Sequence, residues 1–311
     1  MSDTDTQDLG EQLVQAVEAA AGVYPGHRTL HAKGAPALGT FTASGDAARL
    51  TTAAHLQPGA VTPVEVRFSN GSANPGQADG ARDGRGFSTK FRLADGTSTD
   101  IVALTLPVFF VRTVPDFLAL MAARVPDPAT GEMDLNKVFA FLGEHPEAGR
   151  AAELSITAPA PASYTQARYF GVHAFWFVAA DGTRTKVRYR WEPDAGEAPL
   201  DDDAAAARAP DYLGTELAER LAAGPASFTL HVLVGTDEDD ETDPTQEWPA
   251  EREDIVAGRI ELTGQPDDAR DIEKLIFDPV RVTGGIECSA DEILHARSAA
   301  YGASYSRRTA T

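Results

Sequence analysis

Strand–turn–strand units recur along this 311-residue chain, and they constrain its fold more than any other feature. Residues 87–93 and 100–111 flank the turn Ala94-Asp95-Gly96, and residues 169–179 and 185–191 flank Ala180-Asp181-Gly182-Thr183. Both read as β-hairpins, because Asp-Gly lets the chain reverse with the glycine at positive φ. Val64-Glu65-Val66-Arg67-Phe68-Ser69 alternates apolar and polar side chains, the period of a strand with one buried face. Residues 228–235 and 255–262 supply two further strands. Strands paired mostly in hairpins predict an α+β fold, an antiparallel β-barrel of about eight strands with flanking helices.

Between the strands, apolar residues at 9, 13, 17 and 20–21 predict a helix ended by Gly22. Residues 1–23 therefore read as an N-terminal helix or arm, and 24–311 as a single barrel domain. Residues 41–62 mix helix and loop signals around Pro58-Gly59, and the Gly-, Asn- and Asp-rich stretch 70–86 reads as a long loop. Further helices are expected at 115–124, 136–143, 204–223 and 291–301. Ser289 is the expected N-cap of the last, with Glu292 three residues on as in a capping box.

Charge and cysteine usage narrow the function. The formal net charge of −20 repels nucleic-acid phosphates and anionic membranes, so neither is an expected partner. No apolar run reaches the ~20 residues of a bilayer span, and the acidic start is no secretory signal, so a cytoplasmic location is expected. The single cysteine, Cys288, rules out internal disulfides and reads as a packing residue. Asp100 and Asp201 to Asp203 lack the spacing of a calcium loop. No P-loop, dinucleotide fingerprint, zincin helix or nucleophile elbow is present.

Two constellations carry chemistry. Gly26-His27-Arg28-Thr29-Leu30-His31-Ala32-Lys33-Gly34 places two histidines among cations near one end of the chain. Near the other end, Arg297 and Tyr301 are four apart and share a helix face. A guanidinium beside a phenol favours the phenolate, and a phenolate is a ligand for ferric haem iron. Taken alone, the pair fits an amphipathic helix with one buried aromatic better.

The segments resemble, in order, those of the haem catalases. Arg28 to Gly34 is similar to the distal-histidine segment, and Val66-Arg67-Phe68-Ser69 to the strand after it. Asp83-Gly84-Arg85-Gly86-Phe87, Pro107-Val108-Phe109-Phe110 and Tyr169-Phe170-Gly171-Val172-His173-Ala174-Phe175 resemble the next signatures. Trp248-Pro249, Gly258-Arg259, Phe277-Asp278-Pro279, Gly285-Ile286-Glu287 and Arg297 to Tyr301 complete the series. The resemblance runs from Tyr24 to Arg308.

It implies haem b as cofactor, His31 as the distal acid–base, Ser69 as the serine that fixes its ring, and Tyr301 as the axial iron ligand. Arg297 is then the arginine that keeps the tyrosine ionised. Arg28, Arg67 and Arg308 fall where the family grips the haem propionates, and Phe109 and Phe117 line the haem pocket. His31 is expected to shuttle a proton with a pKa near neutrality. One departure stands out: ungapped alignment puts Leu104 where the family has a distal asparagine, and strand alternation points Leu104 toward the haem and Thr105 away. Another is length, since full catalases carry a longer N-terminal arm and a C-terminal domain.

The resemblance is therefore to the small catalase-related peroxidases. It implies a peroxidase that reduces organic hydroperoxides, and hydrogen peroxide, with an external donor and weak dismutation, as a monomer or homodimer. Two alternatives are a hydroperoxide isomerase of allene-oxide-synthase type and a non-catalytic haem-storage barrel.

Overall fold

The alternating run at 64–69 lies within strand β2 (Val61–Asn70) of a computed structural model that describes residues 3–310. It pairs antiparallel with β1 (Gly34–Ala43) on one side and β3 (Arg85–Arg92) on the other. Beyond β3, β4 (Ser98–Leu104) joins the two-residue β5 (Tyr169–Phe170), which pairs with β7 (Arg184–Pro193). Beyond β1, β9 (Asp254–Gly264) pairs with β8 (Ala226–Val234), and β8 pairs with β7. The ring closes with eight antiparallel strands, the architecture expected from the hairpins. Two short strands, β6 (Phe175–Val178) and β10 (Ile286–Cys288), extend it beyond β7.

Aromatic residues fill the barrel. Phe41, Phe68, Phe87, Trp191 and Phe228 are completely buried. Phe68 stacks on Phe87 with centroids 4.8 Å apart, and Phe87 lies 5.2 Å from Trp191. Each such pair contributes about 0.5–1.5 kcal/mol beyond the area it buries. A barrel packed in this way leaves no interior room for a large ligand. Alternation then forces the odd neighbours outward: Arg67, Ser88 and Val102 form one row across β2–β3–β4, and Ser69, Gly86 and Leu104 the next.

Helices cover that outer face. Helix α1 (Asp3–Ala21) packs along α8 (Glu292–Thr309) and against α2 (Val114–Ala123). Val17, Phe109, Met121, Phe141 and Ile293 join them in a second apolar cluster with α3 (Leu135–Glu144). No helix among the described residues is long and apolar enough to cross a membrane.

Several sequence expectations are corrected. Residues 41–43 end strand β1 and 61–62 begin β2, so only the stretch between them is turn and short 3-10 helix. β4 stops at Leu104, and 169–179 is broken after Phe170 rather than one strand. The helix expected at 204–223 is two, α5 (Asp202–Ala206) and α6 (Tyr212–Ala223), because Pro210 interrupts it. A helix not expected, α4 (Pro146–Thr157), follows α3. Asp291, not Ser289, caps α8, accepting from the Ile293 and Leu294 amides at 2.9 and 3.2 Å. Glu292 closes no capping box; its carboxylate accepts from the Val114 amide.

Candidate active site

A cavity of about 560 Å³ lies between the outer face of β2–β3–β4 and the helices α1, α2 and α8. Its barrel wall carries His31, Arg67, Ser69, Gly86 and Leu104; its helical wall carries Phe117, Arg297, Tyr301 and Arg308. Arg28 and Phe109 complete the lining from the loops. All nine site residues expected from the sequence thus meet in one cavity. His27, by contrast, is exposed in the preceding turn.

His31 is the one described non-glycine residue with positive φ, at 56°. A conformation of this kind costs about 1–3 kcal/mol and persists only where the surroundings fix it. Here they do: His31 N donates to Gly71 O at 3.3 Å and Ala32 N to Ser72 O at 3.1 Å. Loop 71–84 is itself pinned, since Arg85 donates to the carbonyls of Asp79, Ala81 and Asp83 at 2.7, 2.8 and 2.7 Å. His31 Nδ1 lies 3.0 Å from Ser69 Oγ. A glycine at 86 makes the pairing possible, because a Cβ there would stand 2.5 Å from Ser69 Oγ and 3.2 Å from His31 Nδ1.

The expected near-neutral pKa of His31 is corrected. Burial and the charges of Arg67, Arg297 and Arg28 push it down to about 3, so the ring is neutral across the physiological range.

On α8, Arg297 donates to Tyr301 Oη from Nη2 at 2.6 Å and from Nε at 3.1 Å. Behind this pair stand two residues that sequence reasoning did not place in the site. Arg297 Nη1 donates to His173 Nε2 at 2.8 Å, and His173 Nδ1 lies 2.6 Å from Asp291 Oδ2. With Nε2 accepting, Nδ1 carries the proton and donates to Asp291. Burial holds His173 down at about 4, which keeps it neutral and able to accept from Arg297. His173 stood within a motif already singled out, but nothing in the motif reveals its partners. The chain leaves the sheet between β5 and β6, where His173 reaches inward.

Arg28, Arg67 and Arg308 gather at another part of the cavity. Arg67 Nε donates to Glu273 Oε1 at 2.5 Å, and Arg28 Nε to Glu273 Oε2 at 3.3 Å. Arg28 also reaches the carbonyls of Glu273 and Leu275, and Arg308 the carbonyl of Leu275. Burial and the neighbouring Arg67 and Arg308 pull Arg28 down to about 9 against the attraction of Glu273. Phe109 and Phe117 both meet Phe110, at 4.3 and 5.7 Å between centroids, forming an aromatic wall.

Leu104 faces the cavity beside Val102 and Leu106. Thr105 turns away, its hydroxyl accepting from the Arg85 amide at 2.9 Å. No asparagine lines the cavity among the described residues.

A family model described as Catalase matches residues 24–311. The chain belongs to the catalase family. It is 40% identical to a catalase-related peroxidase of Mycolicibacterium paratuberculosis, over 96% of this chain and 94% of that protein. A catalase-related peroxidase of Synechococcus elongatus is 35% identical over 96% of this chain and 88% of its own length. Among solved structures, a fungal catalase superposes with a TM-score of 0.83 at 27% identity, covering 92% of this chain and 60% of that one.

Catalase family proteins bind haem, and the residues present fit that group. The cavity is of the size that cofactors occupy. Three guanidiniums gather near a single carboxylate, which pairs with Arg28 and Arg67, leaving two positive charges for a porphyrin with two carboxylates. Arg308 Nε is buried without a hydrogen-bond partner, as expected of a donor kept for a ligand.

Proposed function

We propose that the protein is a haem b peroxidase that reduces organic hydroperoxides, and hydrogen peroxide, using an external electron donor, with weak dismutation. One observation carries the reading: a single cavity joins the His31–Ser69 pair, the Arg297–Tyr301 pair and three arginines. Tyr301 Oη would ligate the iron, and Arg28, Arg67 and Arg308 would pair with the propionates. A bound haem supplies the redox-active iron at which the O–O bond breaks, so that ROOH, two protons and two electrons give ROH and water.

The chain's own residues handle the proton. In the tautomer that donates Nδ1–H to Ser69, His31 keeps the Nε2 lone pair and would take the proton of the hydroperoxide as general base. Its low pKa makes the protonated ring a strong acid, which returns the proton to the leaving oxygen rather than keeping it. On the other wall, two donors from Arg297 hold Tyr301 Oη in place. Asp291, acting through His173, orients that guanidinium. Leu104, Val102 and Leu106 present apolar surface that suits an alkyl chain better than a second molecule of hydrogen peroxide.

The test is the haem-loaded protein assayed with cumene hydroperoxide and with hydrogen peroxide, each with and without a phenolic donor. Donor-dependent turnover of cumene hydroperoxide is expected. Donor-independent isomerisation of a fatty-acid hydroperoxide would reassign it as an isomerase, and dismutation at the rate of a full catalase would refute the substrate preference.

A further inference from the structure

The three arginines of the cavity are organised by a residue on the short helix α7 (Ala269–Glu273), which packs against β1 and β2. Glu273 sends one carboxylate oxygen to each of two arginines: Oε1 to Arg67 and Oε2 to Arg28. Its backbone carbonyl, with that of Leu275, takes further donors from Arg28, and Leu275 O takes Arg308. All three guanidiniums are thus tied to one short segment. The Arg67 side chain is 4% exposed and that of Arg28 15%, so their mutual repulsion is poorly screened. Burial pushes the Glu273 carboxyl up, yet Arg67 and Arg28 overcome it and hold the group below its ordinary value. Glu273 is therefore anionic beside them.

Charge counting gives the consequence. Three guanidiniums and Glu273 leave two positive charges, and a porphyrin with two carboxylates brings the cluster to zero. Without Glu273 the cluster would carry one uncompensated positive charge with the porphyrin in place, and Arg28 and Arg67 would lose the acceptor that aligns them. Resting on the haem-site reading above, we propose that Glu273 is a positioning residue of the cofactor site, a third anion that holds Arg28 and Arg67 together in the geometry the propionates require. It touches no reacting atom. It sets how firmly the cofactor is retained.

Haem transfer from the loaded protein to excess apomyoglobin measures this without reference to turnover. Glu273→Gln keeps the shape and one acceptor but removes the charge; Glu273→Ala removes both. Both variants are expected to lose haem at least about tenfold faster than wild type at low salt. The Glu273 side chain is 37% exposed at the end of a short helix, so the variants are expected to fold, which their far-ultraviolet circular dichroism checks. Added sodium acetate is expected to slow haem loss from Glu273→Ala by returning a carboxylate to the arginines. Sodium chloride at equal ionic strength is expected to leave it unchanged, and wild type is expected not to respond to acetate. Haem loss from both variants at the wild-type rate would overturn the assignment, as would faster loss that chloride slows as well as acetate does. A wild-type protein that takes up no haem would overturn the haem-site reading together with this one.

Discussion

Arg297 reaches Tyr301 from one turn earlier on the same helix and places two donors on its phenolic oxygen, at 2.6 and 3.1 Å. Helical spacing alone brings the two within reach, but it does not aim the guanidinium. His173 does so by accepting from Nη1, and Asp291 holds His173 while its other oxygen caps α8. The cap that starts the helix and the oxygen one face along it are therefore coupled. Tyr301→Phe removes the proposed iron ligand and is expected to lower haem content several-fold. Arg297→Lys keeps the charge but loses the planar fork, so it is expected to retain more haem than Tyr301→Phe while shifting the absorption spectrum. Haem content and spectra of the two variants measure both effects.

Leu104 invites a gain-of-function test. It lies in register with Gly86, which is in register with Ser69, the partner of His31. Leu104→Asn would return a donor to that row. A preorganised donor of this kind contributes about 2.7–4 kcal/mol to transition-state stabilisation in other enzymes. Hydrogen peroxide dismutation is expected to rise at least about tenfold, with little change or a fall toward cumene hydroperoxide. Oxygen evolution measures the first and donor oxidation the second.

The barrel was legible because hairpin turns and alternation are local. Strand β1 was not, because Gly34, Ala35, Pro36, Ala37 and Gly39 have low strand propensity; pairing with β2 and β9 makes it a strand. Gly34 is there for the site: a Cβ would stand 2.5 Å from the Arg67 guanidinium carbon. Helix α4 was missed because it carries only two large apolar side chains, Leu154 and Ile156. For the site itself, His31, Ser69, Arg297 and Tyr301 were readable through the resemblance. Glu273 and Asp291 were not, since an acid on a short helix or at a cap looks like ordinary surface until the fold sets it against arginines 206 and 245 residues away or a histidine 118 residues away.

Acid stability follows from three buried neutral histidines, one of them His31, held at about 3. His55 packs 4.9 Å from the Phe91 ring with no partner for Nδ1, and burial holds it and His173 at about 4, below the ordinary 6.5. Between those values the unfolded chain binds protons that the folded chain does not, so stability falls as pH falls. The contribution is fully present above pH 6.5 and is lost progressively toward pH 4, and for His31 toward about 3. Each histidine contributes a slope approaching ~1.4 kcal/mol per pH unit. Urea midpoints at pH 7.5, 6 and 5 are expected to fall in that order, and His55→Phe is expected to flatten the decline by about a third of this part.

The last expectation concerns His31, proposed above to act as the base in its neutral form. With its pKa near 3 rather than 6.5, lowering the pH through 6.5 does not protonate it. The kcat/KM of the haem-loaded protein for cumene hydroperoxide is therefore expected to stay level between pH 8 and 5, with no inflection near 6.5. Ser69→Ala removes the partner that fixes the tautomer. Losing a hydrogen bond of this kind costs about 0.5–1.5 kcal/mol, so a fall of about two- to twelvefold is expected, again without a pH dependence. His31→Ala removes the acid–base itself, and a loss of about 10²–10⁴ is expected. An inflection near 6.5 in wild type that vanished in His31→Ala would show that His31 titrates as an ordinary exposed imidazole, and that the charges of Arg67, Arg297 and Arg28 do not reach it.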